Sequence, residues 1–376
     1  MVDEEFESQT SYTIDLDLPT AGKVSTLWLI LHARTLTTNA AGNPWARNLI
    51  SSISVNQAGQ EQLNAVPPDF FQADYYYKTG KFPQIGTRRW GTAGDIEEVI
   101  PIMFGDKVDD LDYYVDLGRL NDPQISVTYD LASTDNEGSA TWDTTYYPRF
   151  SVIADLLEGP GLLSSKGYHS LRQIEKYTPT NSQVKQVELK GARPIKQILF
   201  QFDLTNIAYV MRQSVDRVKL WGSNEAYVPF NMTAERYKNL VKMLFGTGVA
   251  KGNFDYWYGG RTINNIFDER DYIDMMLHNS KLIAAFAYGG SGHGFVLEPT
   301  TMSTGAADYA TALSGFFEFA GIAPWAIYPI DARKMLGMEY LDPMEHAPLY
   351  LELTHVSNAT TIGGDIRVAV EDLAQQ

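Results

Sequence analysis

The alternation of hydrophobic and polar positions in this chain occurs twice. Residues Tyr12–Pro19 alternate apolar and polar side chains, and a nearly continuous apolar stretch follows at Val24–Leu31. Val184–Gly191 alternates in the same way and precedes a second apolar stretch, Ile195–Phe202. A period of two predicts a strand with one buried face, and a short continuous apolar run predicts a strand covered on both faces. The order then continues in parallel. Ile53–Glu61 and Val218–Glu225 are each a short strand running into a Gly-containing turn with a Glu beyond it. Tyr114–Asp116 precedes Pro123, as Tyr340–Asp342 precedes Pro348. Two cleanly alternating strands come next, with Ile125, Val127 and Tyr129 on one face and Leu349, Leu351 and Leu353 in the copy. The turn-rich stretches Ser133–Gly138 and Ser357–Asp365 lead into the closing strands Phe150–Leu156 and Ile366–Leu373. Five landmarks in one order predict an all-β unit duplicated within a single chain.

Gly159, Pro160 and Gly161 break the chain between the copies. The predicted division is therefore an amino-terminal unit at 1–160 and a carboxy-terminal unit at 161–376. The polar stretch through Ser182 reads as linker plus the start of the second unit's first strand. The stretch from Gly222 to Pro348 is about sixty residues longer than that from Gly59 to Pro123, which predicts a long insertion at about 246–335. Nearby, Thr233 is placed to cap a helix whose apolar positions Tyr237, Leu240, Val241 and Leu244 recur at helical spacing. A second helix is predicted over Ile266–Leu277, with Asp268, Glu269, Asp271 and Asp274 as its wet side. Between them lies the aromatic run Phe254–Tyr258. A long insertion with its own aromatics predicts a compact surface excursion.

With 376 residues, each unit is long enough to bury its own core, and 44% hydrophobic with 12% aromatic residues is a globular composition. The chain has no cysteine, so disulfides, thiolate metal sites and cysteine nucleophiles are excluded. A formal charge of −16 disfavours direct contact with phosphate backbones, and Arg88-Arg89 is too small for a basic patch. No stretch reaches the roughly 20 apolar residues of a membrane-spanning helix; the longest run, Leu282–Tyr288, reads as a buried strand. The acidic start Met1–Glu7 has neither the basic nor the apolar region of a secretory signal, and it leaves little chain before the first strand for an anchoring helix.

The candidate chemistry is sparse. His32, His169, His278, His293, His346 and His355 show none of the zinc-ligand spacings. His355 continues the face of Leu349, Leu351 and Leu353, which predicts a hydrogen-bonded histidine at a core edge. Gly289–Gly294 fits neither the dinucleotide fingerprint nor the nucleophile elbow, and it reads as a turn between two strands. The acidic groups Asp109, Asp110 and Asp112, and Asp268 to Asp274, do not follow a calcium-loop pattern and read as solvated faces. Asn231-Met-Thr233 and Asn358-Ala-Thr360 match the glycosylation sequon by pattern alone. Tyr75, Tyr76 and Tyr77 read as packing or interface residues ahead of sugar-stacking ones. No catalytic, cofactor-binding or metal-binding residue is assigned.

The paired openings Tyr12–Leu31 and Val184–Phe202, the strands Asn48–Val55 and Arg217–Leu220, and the closing strands at Ile125, Phe150, Leu349 and Ile366 together resemble the double jelly-roll major capsid proteins of tailless icosahedral viruses, the tectivirus–adenovirus lineage. The resemblance implies two tandem eight-stranded jelly rolls with short helices in the inter-strand insertions. It also implies a non-enzymatic shell protein that forms homotrimers with lateral contacts, and minor capsid or vertex proteins as partners. The cytoplasm of a host cell would be the place of synthesis, the virion the destination, and the long insertion an outward tower. Two other readings stay open on sequence: a carbohydrate-binding or glycoside-hydrolase β-sandwich, motivated by the aromatics and abundant carboxylates, and a viral spike or vertex protein.

Overall fold

The computed structural model describes residues 2–5, 11–35, 45–57, 64–83, 85–86, 88–90, 94–132, 142–143, 145–146, 148–158, 165–203, 210–256, 261–264, 267–277, 283–286, 294–299, 313–362 and 364–375. Ten strands come first in the chain: β1 (Val2–Glu5), β2 (Ser11–Asp17), β3 (Lys23–Thr35), β4 (Ile50–Gln57), β5 (Asn64–Val66), β6 (Arg88–Trp90), β7 (Gly94–Met103), β8 (Val115–Asp116), β9 (Pro123–Asp130) and β10 (Arg149–Leu156). Five more follow: β11 (Tyr168–Tyr177), β12 (Val184–Glu188), β13 (Ile195–Asp203), β14 (Val215–Gly222) and β15 (Tyr227–Thr233). The insertion contributes β16 (Gly248–Tyr256), β17 (Arg261–Asn264), β18 (Phe267–Leu277), β19 (Ile283–Phe286), β20 (Gly294–Pro299) and β21 (Leu313–Pro324). The chain then returns through β22 (Ile327–Asp331), β23 (Leu349–His355) and β24 (Asp365–Ala374). The helices are α1 (Ala46–Leu49), α2 (Pro68–Thr79), α3 (Met211–Ser214), α4 (Ala234–Phe245) and α5 (Ala359–Ile362).

The strand orders are the same in the two halves. In the first, β1-β10-β3-β7 form one sheet and β2-β9-β4-β5 the other. In the second, β11-β24-β13-β22 and β12-β23-β14-β15 repeat these orders strand for strand. Each half is thus an eight-stranded jelly roll of two facing four-stranded sheets, and the chain is a double jelly roll. The equivalence extends to details. β8 pairs the start of β3 at Val24–Val115, and Leu341 bridges the start of β13 at Ile195. Helices α1 and α3 each lead directly into the matched strands β4 and β14, and α2 and α4 are both twelve residues long and follow β5 and β15.

Alternation builds the cores. Ile125, Val127 and Tyr129 on β9, and Leu349, Leu351, Leu353 and His355 on β23, all point inward and are buried. Each such aliphatic side chain contributes roughly 2 kcal/mol by burial. Register aligns the two strands more finely than pattern does. Ile50 faces Tyr129 and Val215 faces His355, so His355 occupies the place of Tyr129.

Several expectations are corrected. Phe267–Leu277 is not a helix but the strand β18, paired antiparallel with β21. A strand partner supplied by distant sequence overrides the weak helical spacing, and Asp is a poor helix-interior residue in any case. Strand β1 already begins at Val2, ahead of the Tyr12 opening, while the polar stretch before Ser182 does contain the first strand of the second roll, β11. Ile327–Asp331, inside the predicted insertion, lies in a roll sheet beside β13. The helix after Thr233 is present, yet the Thr233 side chain makes no capping hydrogen bond.

The insertion forms two further sheets, β18-β21-β16-β6 and β17-β20-β19. Strand β6 comes from the first roll and pairs parallel with β16, so both rolls contribute to this outgrowth. The turn predicted at Gly289–Gly294 lies outside the described residues up to Gly294; the strands flanking it, β19 and β20, pair antiparallel. Among the described residues no helix is long and apolar enough to cross a membrane.

Candidate functional site

The joint between the rolls holds a group of interacting charged side chains. Strand β5 of the first roll bridges β11 of the second in parallel at Ala65 and Arg172, so two sheets run on as one of eight strands. The Asn64 side-chain oxygen accepts the Leu171 backbone N–H at 2.5 Å. Helix α2 lies against this seam. It starts with Pro68 at its first turn, where no amide donor is needed, and ends at Gly80 with φ of 71°, a left-handed stop suited to glycine. It is buried on nearly every side because it packs on its own roll and also on the second. Tyr77 Oη donates to the Ile327 carbonyl at 2.5 Å, Gln201 Nε2 donates to Asp69 at 2.5 Å, and Trp325 Nε1 donates to Gln72 at 2.6 Å. Trp45 and Trp325 meet edge to face across the same joint with centroids 5.3 Å apart.

At its centre is an ionic cluster. Lys78 Nζ on α2 lies 2.8 Å from Asp74 one turn back and 2.5 Å from Glu371 on β24. Gln197 Nε2 donates to Asp74 at 2.5 Å. His169 Nδ1 on β11 lies 3.3 Å from both Glu371 and Asp106, and Lys196 pairs with Asp106. Burial, with Glu371 adding its charge, pushes Asp74 up to about 7. Burial opposes ionisation of Glu371 as well, but Lys78, Lys196 and His169 outweigh it and hold the carboxyl down at about 2. Burial lowers His169 to about 4 and Lys196 to about 8, while Asp74 and Glu371 outweigh burial and raise Lys78. The Lys78 and Glu371 side chains are only 4% and 1% exposed, so this pair is closed to a substrate and acts as a clamp between rolls.

The sequence candidates fall elsewhere. His355 is buried, with Nδ1 3.2 Å from the Ser214 carbonyl and Nε2 3.0 Å from Tyr177 Oη, which makes it a satisfied core-edge residue. Tyr76 and Tyr77 are buried in the joint and Tyr75 meets Trp28 edge to face at 5.7 Å, so the three tyrosines are packing residues. Asp110 is not solvated: it is buried and accepts backbone N–H groups of Asp106, Asp112 and Tyr113, shaping its loop. Of the Phe254–Tyr258 run, Phe254–Tyr256 belong to β16 and the rest lies outside the described residues. A cleft of about 420 Å³ beside the seam is lined by hydroxyl and amide groups, among them Thr13, Ser54, Asn56, Ser126 and Gln173. Among the described residues no three His, Asp or Glu side chains are grouped to hold a metal ion. Sequence reasoning missed Asp74, Lys78, His169, Lys196 and Glu371. The i,i+4 spacing of Asp74 and Lys78 was the only signal available.

No protein-family model matches the chain, and no curated protein matches it in sequence. Solved structures match along almost its whole length. The chain is similar to the STIV major capsid protein, with a TM-score of 0.54 and 10% identity over 98% of this chain and 95% of that one. It is similar also to a chain in the atomic structure of Sulfolobus Turreted Icosahedral Virus, with a TM-score of 0.53 and 9% identity over 99% and 90%. A chain of the PBCV-1 virus capsid matches with a TM-score of 0.53 and 8% identity over 99% and 92%. The shared property is the double jelly-roll fold.

Proposed function

We propose that this chain is the major shell protein of an icosahedral virus, a structural and non-enzymatic component that works as a homotrimer. The observation that carries this reading is the strand-for-strand identity of two rolls joined side by side by a shared sheet and a buried ion pair. Three such chains around a three-fold axis present six similar units, an outline that tiles a closed surface by lateral contacts. The capsid proteins that share the fold support the same assignment. On this reading the chain divides at about residue 160 into two rolls, minor capsid or vertex proteins fill the remaining positions, the insertion sheets stand outward as a tower, and the host cytoplasm is the place of synthesis. A formal charge of −16 disfavours direct contact between the shell and nucleic acid.

Multi-angle light scattering of purified protein tests the reading. A mass of three chains is expected, with a hexagonal outline of three-fold height variation in negative-stain images. A monomer at every concentration overturns it.

A further inference from the structure

Asp106, His169 and Lys196 meet at one edge of the joint, and each is held there by its own element. Asp106 lies in the loop that follows β7. Its backbone N–H donates to the buried Asp110 carboxylate at 2.8 Å. Two residues earlier, the Phe104 carbonyl accepts the His169 backbone N–H of β11 at 2.8 Å. The His169 ring stacks on Tyr113 with centroids 4.8 Å apart, and its Nε2 lies 3.4 Å from Tyr340 Oη. Lys196 sits at a bulge of β13. Its neighbours Ile195 and Gln197 pair with the adjacent residues Asp372 and Glu371, which leaves Lys196 without a partner across that ladder. A bulge of this kind re-aims a side chain. The first roll has the same bulge, where Asp155 and Leu156 pair with Thr26 and Val24 and Ser25 takes the matched place. The two rolls thus share the bulge, and the second places an amine on it.

Lys196 Nζ meets Asp106 Oδ1 directly. His169 Nδ1 lies 3.5 Å from that amine and 3.3 Å from the same carboxylate oxygen. Glu371 is also 3.3 Å from His169 Nδ1. The Lys196 side chain is 14% exposed and Asp106 Oδ1 is closed to solvent, whereas the Asp106 side chain as a whole is 42% exposed. The facing atoms are therefore dry, yet a small product has a way out to water. An amine, a carboxyl group and a proton-accepting nitrogen in such a place are what condensation to an amide requires. The nucleophile is held against the electrophile, and two charges that are costly to desolvate give way to a neutral product.

We propose that Lys196 and Asp106 condense to an intramolecular amide, an isopeptide cross-link that ties the first roll to the second, with His169 carrying the proton. The proton that the ion pair shares first passes from the Lys196 ammonium to the Asp106 carboxylate. The lone pair of the free amine then attacks Cγ. The N–C bond forms, and one C–O bond breaks with its electron pair staying on oxygen. The nitrogen gives one proton to His169 Nδ1, which hands it to the departing hydroxyl, and one water leaves. No oxidant or other reactant is consumed. Glu371 faces the imidazolium as it forms and stabilises its charge. Burial assists both partners: His169, lowered to about 4, is free to accept a proton at neutral pH, and Lys196, lowered to about 8, releases its proton more readily than an ordinary lysine. The charges of Glu371, Lys78, Asp74 and Asp331 also bear on Lys196, and those of Glu371, Lys78 and Asp110 on His169. The cross-link lies within one chain, so it goes beyond the shell reading and does not depend on trimer formation.

Intact-mass spectrometry of the full chain, held folded at neutral pH and then denatured, tests the cross-link. The expected mass is that of the sequence less one water. A tryptic digest is expected to contain a linked pair of peptides joined at Asp106 and Lys196, with no cleavage after Lys196. The full sequence mass overturns the proposal. So does loss of water without linked peptides, the signature of an aspartyl residue cyclised onto its own backbone. Lys196→Arg keeps the positive charge without a nucleophilic amine, and Asp106→Ala removes the electrophile. Both are expected to keep their full mass, and loss of water in either overturns the assignment of the pair. His169→Gln, with parental circular dichroism, is expected to slow linkage roughly a hundredfold, followed by mass in chains newly made by cell-free synthesis. Linkage of that variant at the parental rate overturns the role given to the histidine.

Discussion

Lys78 of the first roll lies 2.5 Å from Glu371 on the last strand of the second, and both side chains are closed to solvent. The pair joins two elements nearly three hundred residues apart in sequence, and Asp74 shares the same ammonium at 2.8 Å. Removing that cation leaves Glu371 and Asp74 without their shared partner in a dry joint. Lys78→Met is expected to cost roughly 3–5 kcal/mol, read as a lower thermal midpoint by differential scanning calorimetry. An unchanged midpoint would show that the clamp contributes nothing net.

The same cluster gives two opposed pH dependences. His169 stays neutral in the folded chain down to about pH 4, whereas an ordinary histidine protonates near 6.5. The unfolded chain therefore binds the extra proton as pH falls from 6.5 to 4, and stability is lost in that direction. Asp74 works oppositely. Folded, it keeps its proton up to about pH 7 against an ordinary value of 3.8, so stability is lost as pH rises from 4 to 7. Relative to the parent between pH 4 and 6.5, His169→Gln should make stability fall more steeply as pH rises, and Asp74→Asn should make it climb. Denaturant titrations across that window check both signs.

Asp110 is expected to behave as a loop organiser. Its carboxylate accepts N–H groups of Asp106 at 2.8 Å, Asp112 at 3.0 Å and Tyr113 at 3.4 Å. Asp110→Ala strands these donors and should cost roughly 1–3 kcal/mol, with faster hydrogen exchange confined to residues 106–113.

At the base of the insertion, a Cβ on Gly248 would sit 2.7 Å from both Phe267 Cε1 and Tyr76 Cε2. Both rings are buried, so neither swings aside freely. Gly248→Ala should destabilise by roughly 1–3 kcal/mol, seen as a lower thermal midpoint.

Local pattern determined much of this protein. The alternation at Ile125–Tyr129 and Leu349–His355 marks strands because a half-buried sheet imposes a period of two, and α4 was legible because one apolar face of a helix imposes a period near 3.6. The ordered repeat of those signals was enough to expose the duplication and the double roll. Helix α2 left no such trace: wedged between two rolls, it is covered on nearly all sides, and its Phe, Tyr, Asp and Lys residues follow no single face. Strand β18 was misread because its partner, β21, lies beyond a long intervening segment. The clamp was invisible for the same reason. Asp74, Lys78, His169, Lys196 and Glu371 come from α2, β11, β13 and β24, and their burial, hence their altered proton affinity, exists only once the rolls are packed together. Periodicity is a property of one element against one surface; which surfaces meet, and which charges are shut between them, is decided by packing alone.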